Sequence, residues 1–193
     1  MINFINSVLN KISNGKTVIV LLTVTLSFMA MINLVNLPVS VQRIDQISNG
    51  AGILDMKFYF TNKEAYQLLD IIQPDGRKIY FNFLLFIDMI FPFLYSLSLA
   101  VVSKFIYHKV FQSNSHQVWI LIPFVAGIFD YLENLTIITL LKYYPIHLDF
   151  LASLAGYLTA GKWIFSVISL LNILLALLYM AWHYGLWKFT KHK

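Results

Sequence analysis

Gly127-Ile128-Phe129-Asp130-Tyr131-Leu132-Glu133-Asn134 places two carboxyls and an amide inside an apolar run, Trp119 to Leu141, that is long enough to cross a bilayer. At helical spacing Asp130, Glu133 and Asn134 stand at i, i+3 and i+4 and share one face. An ionisable side chain near the bilayer centre costs about 3 kcal/mol even on the lenient insertion scale. That face is therefore expected to turn into a helix bundle, away from lipid.

The rest of the chain agrees with a membrane setting. Of its 193 residues, 59% are hydrophobic and 12% charged, against about 25% charged in soluble domains. There is no cysteine, which excludes thiol catalysis, disulfides and thiolate metal centres. The net charge of +5 is carried at the ends of apolar runs, as membrane-flanking charge is, so nucleic acid is not an expected partner.

In chain order, residues 1–16 carry Ile2, Ile5, Val8, Leu9 and Ile12 on one face and predict an interfacial helix. Residues 17–39 predict the first span. Residues 40–79 turn polar and predict an extracytoplasmic lid loop. In it Thr61-x-x-Glu64 is a capping box opening a short amphipathic helix, and Pro74-Asp75-Gly76 reads as the turn that ends it. Ile53 to Phe60 is too apolar for an ordinary loop and is expected to dip back against the bundle. Residues 80–105, 118–141 and 150–187 predict the second, third and fourth spans, and 188–193 a tail. Pro92 is expected to kink the second span beside Asp88. The fourth is too long for one perpendicular crossing and needs a tilt, a projecting turn or a break, with Gly156 and Gly161 as break candidates. The expected fold is thus all-α: a polytopic four-transmembrane-helix bundle with an N-terminal interfacial helix and a lid helix.

Charge predicts the orientation. Lys11, Lys16, Lys104, Lys109, Lys188, Lys191 and Lys193 lie on the terminal side without an acid, whereas the basic residues opposite are mixed with acids. The positive-inside rule then puts both termini in the cytoplasm of a plasma-membrane protein, with Trp119, Trp182 and Trp187 as an interfacial belt. Under that topology Asp88, Asp130, Glu133 and Lys162 reach a common depth in the outer half of the bundle, beneath the lid.

Three carboxyls against one ammonium cannot all stay charged in low dielectric, so a proton or another cation belongs there. Three roles are open: a structural or ligand-binding cluster, acid/base catalysis of an isomerase, lyase or hydrolase by Asp88, Asp130, Glu133 and Lys162, and transport. Asp55, Arg77, Tyr80 and Asn134 are the ligand-binding candidates, with an Asp55 to Arg77 pair closing the lid. Membrane lipids and a small amphiphilic molecule are the expected partners. Cofactors are not expected, and neither is a metal, since His147 and the acids lack a zinc-binding spacing. Ser166, Ser169 and Asn172 form a polar stripe suited to helix packing.

Ile53-Leu54-Asp55-Met56, Glu64-Ala65, Gly76-Arg77 with Tyr80, Asp88 with Phe91-Pro92 and Tyr95, Asp130 with Glu133-Asn134, Tyr144-Pro145 and Lys162 together resemble a pattern in small four-span membrane proteins without an assigned activity. The resemblance covers about residues 50–165. It implies the same fold and no particular reaction.

Overall fold

The computed structural model describes residues 2–35, 37–111 and 117–191; His116 and Lys193, and the side chains of Trp187, Lys188 and Lys191, lie outside what is described. Among the described residues eight α-helices follow in order: α1 (Ile2–Ile12), α2 (Gly15–Leu34), α3 (Val41–Ile47), α4 (Asn62–Ile71), α5 (Gln73–Asn82), α6 (Phe91–Phe111), α7 (Gln117–Tyr143) and α8 (Asp149–Lys191). No strand occurs among the described residues. Within them four helical stretches, Gly15–Leu34, Gln73–Val110, Val118–Tyr143 and Asp149–His183, are long and apolar enough to cross a membrane, which marks an integral membrane protein.

Local chemistry sets the ends. The Asn14 side chain accepts the Thr17 N–H at 3.1 Å and caps α2. This helix stops at Leu34, short of the expected residue 39, because Pro38 disfavours helical backbone just ahead of it. It is peripheral, with only Thr25 and Ile32 buried, and is clasped to α6 by Thr25 Oγ1 and Ser98 Oγ at 2.7 Å. Leu9 of α1 joins Val101, Val102 and Ile106 of α6 in an apolar cluster at the terminal end. Lys104, counted above with the flanking lysines, is buried within α6.

The segment expected as a lid is largely helical. Thr61 and Glu64 form the reciprocal capping box: Thr61 N–H donates to Glu64 Oε2 at 2.7 Å, and Glu64 N–H to Thr61 Oγ1 at 3.3 Å. Both Thr61 donors hold the Glu64 carboxyl below its usual range. A carboxyl so depressed contributes its stabilisation above that range and loses it as pH falls through the lowered value. Amide exchange at the start of α4 should therefore accelerate only in acid, and a Glu64→Gln chain should lack that acid step; hydrogen exchange against pH reads both. Ala65, Leu68, Leu69 and Ile72 are buried, in one cluster with Ile44 of α3, Ile137 and Leu140 of α7, and Ala152 and Ala155 of α8.

Pro74, Asp75 and Gly76 do not form the turn that ends the lid helix, which stops at Ile71; they lie inside the next helix. Gln73 breaks the chain at a φ of 55°, and Pro74 then sits in the first turn of α5, where its missing N–H is no loss. The helix that leads into the second span thus starts at Gln73. It passes through a π-helical segment, Phe83–Asp88, in which Met89 N–H reaches back five residues to Leu84 O at 3.1 Å. After a turn at Met89 and Ile90 the helix resumes with Pro92 at its start. Pro92 has no N–H to offer the Asp88 carbonyl, so the irregularity falls beside the acid.

The fourth crossing is continuous: α8 runs unbroken for 43 residues, about 64 Å, and so projects or tilts. Its glycines are contacts instead of breaks. A Cβ on Gly161 would strike the Phe129 ring of α7, and one on Gly156 would strike the Phe60 carbonyl of the lid. Helical glycine costs up to about 1 kcal/mol relative to alanine, and this close approach is what offsets it. Gly156→Ala should consequently lower stability by about 1–3 kcal/mol. Proteolysis would then cut first between residues 53 and 60; unchanged melting and cleavage would show that the lid does not touch α8 there.

Candidate functional site

The loop between α7 and α8 is short, so the two helices run antiparallel and can be indexed against each other. Asp130 lies thirteen residues before Tyr143 (143 − 130) and Lys162 thirteen after Asp149 (162 − 149), which puts the two level. Lys162 is 8% exposed, Asp130 5% and Glu133 0%. The Lys162 ammonium stands 2.5 Å from Glu133 Oε2 and 3.6 Å from Asp130 Oδ1. Its third contact is a backbone group, the Asp55 carbonyl, to which it donates at 3.0 Å. The other Glu133 oxygen, Oε1, lies 2.7 Å from the Thr159 hydroxyl, whose single proton also has the Ala155 carbonyl at 2.9 Å.

The lid supplies the next layer. Leu54–Met56 forms a single 3-10 turn, and the chain then runs down to Phe60 against α8. Its polar groups are met one by one, as buried backbone requires. Tyr80 donates its hydroxyl proton to Asp55 Oδ1 at 2.7 Å and accepts the Leu54 N–H at 3.1 Å. Lys162 takes the Asp55 carbonyl, and the Trp163 indole N–H donates to the Lys57 carbonyl at 2.8 Å. Adjacent residues of α8 thereby grip two carbonyls of the lid and hold it over the carboxyls.

Asp88 completes the cluster from the π-helical segment. It stands among Asp55, Asp130 and Lys162 and faces the Asn134 amide. No cation lies within ion-pair distance of it among the described residues. Asn134 is completely buried, and neither its Oδ1 nor its Nδ2 makes a hydrogen bond of good geometry. The Tyr95 hydroxyl lies between Asp130 and Ser166, likewise without a well-formed bond.

Seven of the eight residues singled out from sequence thus surround one point: Asp55, Tyr80, Asp88, Asp130, Glu133, Asn134 and Lys162. Arg77 does not join them, and its expected pairing with Asp55 is absent. Its guanidinium donates to the Leu69 carbonyl at 2.6 Å and lies 3.9 Å over the Tyr144 ring, a clamp between α4 and the α7–α8 turn. A backbone carbonyl and an aromatic face satisfy this planar cation, and Tyr80 takes the acid instead. Thr159 and Tyr95 are additions. Both were within reach of spacing: Thr159 is three residues before Lys162, and Tyr95 seven after Asp88, two helical turns along one face.

His147, Ser169 and Asn172 have partners away from this cluster. His147 stacks on Tyr66 at 3.9 Å, and no three His, Asp or Glu side chains among the described residues stand close enough to hold a metal ion. Ser169 donates back to the Phe165 carbonyl at 2.8 Å, and Asn172 accepts the Tyr107 hydroxyl. No protein-family model, no curated protein and no solved structure matches this chain.

Proposed function

We propose that this integral membrane protein binds a lipid-like or small amphiphilic ligand, whose polar head enters the carboxylate and lysine cluster beneath the lid. The observation that carries the reading is a surplus of polar capacity in a buried place. Asp55, Asp88, Asp130 and Glu133 gather around the single ammonium of Lys162, and the Asn134 amide and Tyr95 hydroxyl beside them make no well-formed hydrogen bond. A packed, purely structural cluster satisfies its members, because each unmet buried group costs about 1–3 kcal/mol. The lid is apolar on its outer side, with Met56 and Phe58 exposed next to the segment that roofs the site. That suits acyl chains as neighbours.

In this reading both termini face the cytoplasm of the plasma membrane. Helix α1 lies in the headgroup layer with Leu9 toward α6, and α4 lies across the outer mouth of the bundle. Acid/base chemistry on the same ligand is a second reading. It is favoured by the unequal hold of Lys162 on its two acids, 2.5 Å for Glu133 against 3.6 Å for Asp130, which suits carboxyls in different protonation states.

Native mass spectrometry of the purified protein, with lipid extraction of the same sample, tests the binding reading. The natural chain should carry a retained small molecule, and Asp130→Asn should reduce its occupancy about tenfold or more, the loss expected for one charged hydrogen bond. An empty natural chain, or equal occupancy in both, would overturn it.

A further inference from the structure

The ligand's head can be assigned a charge from the way the cluster is already partnered. Glu133 is occupied on both oxygens, by Lys162 and Thr159. Asp55 is occupied by Tyr80, and Asp130 shares Lys162. Among the described residues Asp88 is the one carboxyl of the four with neither an ion pair nor a well-formed hydrogen bond, and the fully buried Asn134 amide faces it. Among the charged groups around Asp88, two are acids and one is a lysine already held by Glu133 and the Asp55 carbonyl. What fits beside Asp88 is a group that carries positive charge and donates hydrogen bonds.

The backbone presents Asp88 for such a role. A π-helical turn inserts one extra residue per turn and re-aims the side chains within it, and such turns gather at functional sites. Here the π-helical segment ends on Asp88, with Pro92 fixing the restart of the helix. Phe86, Ile90 and Phe93, within five residues of Asp88 on the same crossing, are exposed apolar side chains along which a hydrocarbon tail can lie. Among the described residues no three carboxyl or histidine side chains stand together as a metal cage.

We infer that the site selects amphiphiles with a protonated amine head, the ammonium donating to the Asp88 carboxylate beside the Asn134 amide while the tail stays in the bilayer. This rests on the binding reading above. The test is thermal unfolding of the full chain in phosphatidylcholine nanodiscs with three probes of equal chain length: decylamine, decanol and decanoate. At a hundredfold excess over its dissociation constant decylamine should raise the melting temperature by about 5–10 °C, and the other two should not. Asp88→Asn should abolish most of the decylamine shift, and so should Asn134→Leu, which puts an apolar side chain of similar size against Asp88, in case the first variant folds poorly. A shift with decanol or decanoate as large as that with decylamine would overturn the amine assignment and leave the binding site standing. No shift with any probe would overturn both, and an undiminished decylamine shift in both variants would move the amine away from Asp88.

Discussion

Replacing Lys162 with alanine is expected to lower stability by about 3–5 kcal/mol, the cost of leaving one member of a buried ion pair behind. The reason lies in Glu133, which has no exposed surface and would keep only the Thr159 hydroxyl once the ammonium at 2.5 Å is gone. The Asp55 carbonyl would lose its donor in the same step, so the lid would loosen with the core. For a chain of this size the change amounts to a fall of roughly 6–20 °C in melting temperature, readable in detergent. Lys162→Met combined with Glu133→Met should recover at least half of the loss, because removing both partners of a buried pair is far cheaper than orphaning one. A loss below about 1 kcal/mol in the single variant would mean that the pair is wet and contributes as a surface bridge does. No recovery in the double variant would place the cost in the lid contact instead of the charge pair.

Much of this cluster was open to counting. Asp130, Glu133 and Asn134 announce a shared face by their spacing, and Lys162 falls level with Asp130 once the α7–α8 loop is seen to be short. The lid helix is written in its capping box, which needs only two residues at the right separation. Other parts could not be read. Tyr80 at the head of a span looks like an interfacial aromatic, and nothing local says that its hydroxyl belongs to a backbone N–H and an acid some 25 residues earlier. The error over Arg77 has the same root, since its true partners come from the end of α4 and from Tyr144, which only the packed fold brings near. Gly156 and Gly161 misled in the opposite sense: glycine weakens a helix considered alone, yet both sit where another element presses on α8. The π-helical segment is invisible to a periodicity argument, because Phe83 to Leu94 is apolar almost throughout and has no polar face whose rotation could show.

Tyr80→Phe should open the lid without unfolding the helices. The substitution keeps the ring, which is fully buried, and deletes only the oxygen that accepts from Leu54 N–H and donates to Asp55. Leu54 is itself fully buried and Asp55 nearly so, which leaves an unpaired amide and a carboxyl that has lost its only well-formed side-chain bond. The two together are worth about 2–4 kcal/mol. Because the penalty is confined to one turn of chain, it should appear as local opening. Hydrogen exchange across residues 53–60 should accelerate by roughly 30-fold to 900-fold, the same energy expressed as a rate ratio, while α7 and the middle of α8 stay protected. Arg77→Leu is the control: its contacts lie at Leu69 and Tyr144, so it should loosen α4 against the α7–α8 turn and leave 53–60 closed. Equal acceleration throughout the chain in Tyr80→Phe would show that the hydroxyl holds the whole bundle and that the lid has no motion of its own. Selective opening would instead identify the residue that governs access to Asp88, Asp130 and Lys162, since the turn it releases is the one whose carbonyl covers the ammonium.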